Sequence, residues 1–360
     1  MEKSEFGQRM SRRVMFLGGA CLAGLSGRPA LAETGDVAVQ WQVFHTRFLT
    51  SDGRIVDTGN GGVSHSEGQG WGLLFAEAAG DLKNFDLING WTETHLARPH
   101  DALHAWRYDP SAANPVADLN NATDGDIFIA WAKARAARRW SRPVLADSAR
   151  AIVTDILGKL CLRADGQLFL LPGADGFLLP GRANLNLSYY VWPAFATLAA
   201  LVPSDSWRQL ENAGLALLER GRFGIWSLPP DWLALDRQSL SVALAPDRPP
   251  RFSYDAIRVP LWLSWAGLMP TGFLTAFGNY WRAPSFPYHP AWVDLKSGAY
   301  SNYPAPSGMD AVARLTLAAA GQAPALPDVA AASDYYSASL TLLTHVAAQW
   351  QENNTGVQSV

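Results

Sequence analysis

The chain has 360 residues, of which 48% are hydrophobic and 17% charged, and a formal net charge of −3. That length holds one large domain or two ordinary ones, with ample apolar material for a core. The near-neutral balance and the absence of any Lys or Arg run argue against a nucleic-acid partner. Fifteen Trp are more than core filling needs, and flat indole faces commonly stack on sugar rings.

The N-terminus reads as a targeting segment. Arg12-Arg13 precede an apolar run at 14–25, and Ala30-Leu31-Ala32 supplies a small-x-small cleavage pattern before Glu33. The run is too short to span a bilayer. Residues 1–32 are therefore predicted to be an export signal and 33–360 a single domain. The stretch 11–17 resembles a twin-arginine signal, with Sec export as the alternative. Cys21 would leave with the signal, so Cys161 remains without an internal disulfide partner and is expected to be a buried thiol. No second hydrophobic span follows, which predicts an exported, periplasmic or secreted product without stable membrane insertion.

Further along, residues 37–49 carry Trp41, Phe44 and Phe48 at helical spacing, closed by the turn Asp52-Gly53. Next, Asn60 to Phe75 passes from glycine-rich polar loop into an apolar helix. Ser66 is the predicted N-cap, with Gln69 completing a capping box, and Glu67 lies in the first turn. The glycines suit a backbone that must approach something bulky and flat. Residues 84–96 are amphipathic. A loop with Trp106 leads to Asn120-Asn121-Ala122-Thr123-Asp124-Gly125-Asp126, which opens an apolar helix at 127–137; an amphipathic helix at 144–162 follows.

The pattern then breaks. Residues 167–171 and 177–179 are predicted to form a short hairpin. Asn186 to Trp192, with Tyr189 and Tyr190, opens an apolar helix despite Pro193, and 204–222 is amphipathic. Residues 229–250 look like a proline-rich surface stretch leading to Ser253-Tyr254-Asp255-Ala256-Ile257-Arg258. Further helices are expected at 271–281, 306–320 and 333–350.

About eleven helices thus alternate between types apolar on most sides and types apolar on one face. The first type, starting near 67, 124, 190, 255, 307 and 335, fits an inner ring. The second type fits an outer layer. The arrangement predicts a double-layered (α/α)6 barrel with a short β-hairpin insertion, its cleft at the inner helices' N-terminal ends. An irregular α-solenoid is the rival, and no fixed repeat period supports it.

Glu67, Asp124 and Asp255 then stand at equivalent helix starts. Each alone is explained as a cap or dipole partner worth about 1 kcal/mol. All three at one mouth amid aromatics fit glycosidic bond hydrolysis, which needs one protonated and one ionised carboxyl group across a cleft.

The runs Ser66-Glu67-Gly68-Gln69-Gly70-Trp71-Gly72, Ala122-Thr123-Asp124-Gly125-Asp126 and Ser253-Tyr254-Asp255-Ala256-Ile257-Arg258, with Tyr335-Tyr336 near the C-terminus, resemble glycoside hydrolase family 8. Within it they resemble the periplasmic endo-β-1,4-glucanases that accompany bacterial cellulose synthase. The resemblance spans the chain after the signal and implies an (α/α)6 barrel, an inverting mechanism and β-1,4-glucan as substrate. It also implies association with a cellulose synthase complex. By the same resemblance Glu67 is the general acid, Asp255 the general base, and Asp124 a third acid that binds and distorts the sugar. Tyr254 lines that subsite, and Trp106 offers a stacking platform.

Arg258, three residues from Asp255 on the same helix, is expected to favour the ionised base and to hold sugar hydroxyls, or else to form a structural ion pair. Trp71, where the family more often has tyrosine, Tyr189 and Tyr335 are substrate-binding candidates, with core packing the alternative for each. His65 is expected to anchor its loop. No metal or cofactor is expected, since the acids and histidines lack ligand spacing. Two other readings remain: a glucan-binding accessory protein that does not cut, and the same chemistry on xylan, mixed-linkage glucan or chitosan.

Overall fold

Eleven α-helices run in chain order through the described residues of the computed structural model, 36–318 and 323–357. The predicted export signal, Cys21 included, lies outside them. The helices are α1 (Val37–Phe48), α2 (Ser66–Ala79), α3 (Leu82–His95), α4 (Thr123–Arg139), α5 (Pro143–Lys159), α6 (Trp192–Leu201), α7 (Ser206–Arg220), α8 (Arg258–Ala266), α9 (Thr271–Trp281), α10 (Ser307–Leu317) and α11 (Tyr335–Val357).

Burial sorts them into two layers. Every residue of α2 from Ser66 to Glu77 except Glu67 is buried, as is every residue of α4 from Thr123 to Lys133. By contrast, α7 buries Trp207, Leu210, Ala213, Gly214, Leu217 and Leu218, the single stripe of a helix lying on a core. The all-round buried helices close a ring: α2 packs on α4, then α6, α8, α10 and α11 follow, and α11 returns to α2. Around it, α1 lies against α11 and α2, α3 against α2, α5 against α4, α7 against α6 and α9 against α10. This is the (α/α)6 barrel. Between α10 and α11, where a sixth outer helix would lie, the described residues hold a 3₁₀ turn, Val329–Ala331, seated on α1 and α11.

Local chemistry sets the ends. Gly80 adopts a left-handed φ of 77° to stop α2, and Asp81 accepts from Asn84 N at 3.1 Å to start α3. Pro193 falls in the first turn of α6, where a missing N–H costs nothing. The expected capping box on α2 does not form, because His65 is the N-cap residue and makes no side-chain cap bond. Gln69 is instead drawn inward. It accepts from Ile55 N at 2.6 Å and donates to Gly53 O and Thr92 Oγ1, tying the preceding loop and α3 to α2.

The strands depart most from expectation. Strands β1 (Ser64–His65) and β2 (Arg107–Tyr108) pair beside the start of α2. The helix expected over 144–162 stops at Lys159, and β3 (Cys161–Ala164) pairs with β4 (Gln167–Leu170). Asp165 and Gly166, both at positive φ, form the two-residue turn that favours this hairpin over the expected pairing of 167–171 with 177–179. Cys161 accordingly sits half-buried on a strand, with burial pushing its thiol up to about 12. Strands β5 (Leu178–Leu179), β6 (Arg182–Leu185), β7 (Leu233–Asp236) and β8 (Val242–Leu244) form one antiparallel sheet in that order. The stretch 229–250 is thus not merely surface: Leu233, Ala234 and Leu235 are buried in this sheet. Strand β9 (Arg251–Phe252) pairs with β10 (Val293–Asp294) just before the Asp255 turn.

Candidate active site at the mouth of the inner ring

Glu67 and Asp124 are the second residues of α2 and α4. Close approach of the two helices brings these residues together. A Cβ on Gly70 would lie 2.6 Å from Phe128 Cβ, and one on Gly125 would lie 2.7 Å from Glu67 N. Only hydrogen fits at either crossing.

Asp255 is placed differently from expectation. It precedes α8 by three residues, in a turn rather than in the helix, and Arg258 is the first residue of α8. The turn still delivers the pair: Arg258 Nη2 donates to Asp255 Oδ1 at 2.7 Å. The same guanidinium contacts Glu67 Oε1 and lies 3.3 Å from Asp124 Oδ2. It also donates to Ser188 Oγ at 3.0 Å, in a 3₁₀ turn (Leu187–Tyr189) ahead of α6, and through Nε to the Asp255 carbonyl at 3.5 Å. One buried arginine therefore gathers all three acids, which come from three separate inner-helix starts.

Environment separates the acids. The Asp124 side chain is only 2% exposed against 21% for Glu67 and 30% for Asp255, so the latter two face the opening. Burial, reinforced by the neighbouring Asp126 charge, pushes Asp124 up to about 7, opposed by the Gly125 N–H. Asp255 is held well above the usual carboxylate range by burial and by the charges of Asp231 and Asp124, opposed by the nearby polar side chains of Asn186 and Trp232. Asp126 is structural: it accepts from His104 N and Nδ1, each at 2.9 Å, and from Asn121 Nδ2.

The aromatic candidates divide. Trp106 is half-exposed, with its indole N–H on Asp118 at 2.8 Å and its ring stacked 6.0 Å from His65. His65 also reaches Asp57 Oδ2 at 3.3 Å, which is the loop-anchoring contact expected of it. Tyr254 is 41% exposed and meets Tyr336 edge-on at 5.7 Å. Tyr189 is half-buried with the Arg258 guanidinium 6.0 Å from its ring.

Trp71 and Tyr335 need correction as substrate-binding residues. They are 1% and 4% exposed, and their rings stack on one another at 6.5 Å beneath the site. With apolar neighbours such as Phe44 and Phe128, they pack the floor and offer no open face. Tyr336, next in sequence, is the half-exposed member of that pair.

Sequence reasoning missed Asp231 and Trp232, which lie at the start of β7 in the stretch read as surface. Asp231 accepts from Ser253 N at 3.0 Å, Ala256 N at 2.8 Å and Ser253 Oγ, so it frames the Asp255 turn. Asn186, which accepts from Ser188 N and Oγ, was also missed as a support. No local signal marked Asp231, because its partners lie more than twenty residues further along the chain.

Three acids on one arginine at a barrel mouth now stand beside known proteins. The description "Glycosyl hydrolases family 8" matches residues 16–350. The chain belongs to glycosyl hydrolase family 8. A probable endoglucanase of Novacetimonas hansenii is 46% identical over 335 residues, 91% of this chain and 97% of that protein. An endoglucanase of Cellulomonas uda is 39% identical over 279 residues, 77% of each chain. The solved endo-beta-1,4-glucanase CMCax from Acetobacter xylinum superposes with a TM-score of 0.84 at 46% identity, covering 89% of this chain and 99% of its own. The chain is thus a family 8 glycoside hydrolase in both sequence and fold.

Proposed function

We propose that this family 8 enzyme is an inverting endo-β-1,4-glucanase. The observation that carries the reading is the convergence of Glu67, Asp124 and Asp255 on Arg258, with Glu67 and Asp255 open to the cleft. The endoglucanase names of relatives up to 46% identical support the same substrate class. In this mechanism Glu67 gives its proton to the glycosidic oxygen as the C1–O bond breaks. Asp255 takes a proton from a water that attacks C1 from the opposite face, and the anomeric configuration inverts. Asp124 holds the sugar at the cleavage point. Arg258, which touches all three acids, fixes their positions relative to one another. Trp106, Tyr189 and Tyr254 supply apolar faces for glucosyl rings on either side.

Glu67→Gln and Asp255→Asn are each expected to lower carboxymethylcellulose hydrolysis at least about 10³-fold with an unchanged circular dichroism spectrum. Near-full activity in either variant would remove that residue from its role. Fresh product read by proton NMR should be the α-anomer, and a β-anomer would replace inversion by retention. Reducing-sugar release across carboxymethylcellulose, xylan, mixed-linkage glucan and chitosan decides the polymer. No release from any of them would favour a glucan-binding accessory protein.

We further infer that residues 33–360 form one catalytic domain, exported through the signal at 1–32, and that the enzyme serves cellulose production, in association with a cellulose synthase complex. The twin-arginine pattern and the Ala30-Leu31-Ala32 cleavage pattern support export. N-terminal sequencing of the periplasmic product checks it, with Glu33 as the expected first residue.

A further inference from the structure

The general base depends on a segment that is not part of the barrel. Asp231 and Trp232 sit side by side just before β7, in the segment between α7 and α8 that adds β7 and β8 to the four-stranded sheet, and both face Asp255. The Asp231 carboxylate accepts from Ser253 N, Ala256 N and Ser253 Oγ, so it closes the turn from below. Trp232 approaches from the other side, close enough for its indole N–H to favour the charged form of the Asp255 carboxylate. Its indole is fixed in turn: the Phe177 ring lies parallel at 5.8 Å, and the Arg248 guanidinium stands 4.7 Å from its centre.

We propose that Asp231 and Trp232 are positioning residues for the base, holding Asp255 in place and tuning how readily it takes up a proton. The inference rests on Asp255 being the general base. The two act in opposite senses. A buried carboxylate beside Asp255 makes a second negative charge costly, whereas an indole N–H close to the Asp255 carboxylate favours the ionised form. The other groups facing Asp255 are Arg258 at 2.7 Å, Asp124, Asn186, and the phenols of Tyr189 and Tyr336. None of these comes from the segment between α7 and α8, although Asn186 directly follows β6 of the same sheet. Arg251 lies close in sequence, but its guanidinium stacks on Trp292 at 3.7 Å. The nearest cation to Asp255 is therefore Arg258, and the segment between α7 and α8 adds the Asp231 charge, the Trp232 N–H and, behind Trp232, the Arg248 guanidinium. A base matched to the working pH is what this balance produces.

The test is the pH profile of kcat/KM on a soluble cello-oligosaccharide, with Asp231→Asn, Trp232→Phe and Asp255→Asn run together. Asp231→Asn keeps an oxygen for Ser253 N and Ala256 N and an amide for Ser253 Oγ, so it removes charge while preserving the turn. Its acidic limb should move to lower pH, with kcat down about fivefold as the base weakens and KM little changed. Trp232→Phe should move the limb the other way, to higher pH. A purely structural role would change stability and leave both limbs where they were, and that result overturns the proposal. Should Asp231→Asn fail to fold, the direction of the Trp232→Phe shift decides. If Asp255→Asn stays active, the assignment of the base fails and the proposal goes with it. If Asp255→Asn is dead and neither limb moves, only the proposal fails.

Discussion

Arg258 shows how much one side chain can decide. A lysine carries the same charge but lacks the planar fork that lets one group serve Glu67, Asp124, Asp255 and Ser188 together. Arg258→Lys is expected to lower kcat at least about 100-fold with modest loss of stability, read by single-turnover kinetics. Arg258→Ala leaves buried carboxylates without their cation and should cost about 3–5 kcal/mol in denaturant unfolding. Asp124 yields a second prediction, with a sign that can be worked out. Its pKa, about 7 in the folded chain, lies above the ordinary value of about 3.9. The contribution it makes to stability is complete below the ordinary value and is lost as pH rises through about 7. Asp124→Asn does not titrate, so its unfolding midpoint should gain on that of the native chain as pH goes from 4 to 8 (about 1 kcal/mol or more at the upper end). A constant gap across that range would show that Arg258 cancels the burial.

Among elements, the α2–α4 crossing matters most to the site. Gly70 and Gly125 let two helices meet at a distance that no side chain allows, and this contact carries Glu67 up to Asp124. Gly125→Ala must push against Ser66 and the Glu67 backbone. The expected result is a loss of about 1–3 kcal/mol in thermal unfolding and a fall in kcat larger than any change in KM. Gly→Ala in the interior of an exposed helix would instead stabilise it, so the sign of the change reports on the crossing. The high glycine content of α2 therefore reflects backbone packed on backbone, while Gln69 and His65 fasten the loop ahead of it.

Seen whole, the barrel collects chain segments that are remote in sequence around one opening. Glu67 and Asp255 are almost two hundred residues apart, yet both pair with Arg258. Closure also sets the chemistry. Asp255 is raised above the usual carboxylate range through burial and through Asp231 and Asp124, contributed by other parts of the ring and its insertion. As the proposed base, Asp255 works ionised, so kcat/KM should fall on the acidic side at a pH above that of an ordinary carboxylate. A stopped assay between pH 4 and 8 measures this, and an acidic limb at the ordinary value would contradict the electrostatic picture.

The motifs around Glu67, Asp124 and Asp255, and the alternation of all-round with one-face apolar helices, were enough to foresee an (α/α)6 barrel and its three acids. Such features are local: periodicity records which faces are buried, and a helix start shows where a carboxylate will stand. Other features depended on partners the chain meets only once folded. Trp71 and Tyr335 read equally well as floor or platform until the ring closed over them. The run 229–250 looked like surface because its prolines hid two short strands, one of which gains meaning only by pairing with 182–185 and the other by pairing with the first. Asp231 had no local sign of importance, since all that it holds lies more than twenty residues further on. Periodicity and caps belong to the chain itself, whereas burial of a particular ring, or the charge beside a particular acid, belongs to the closed barrel.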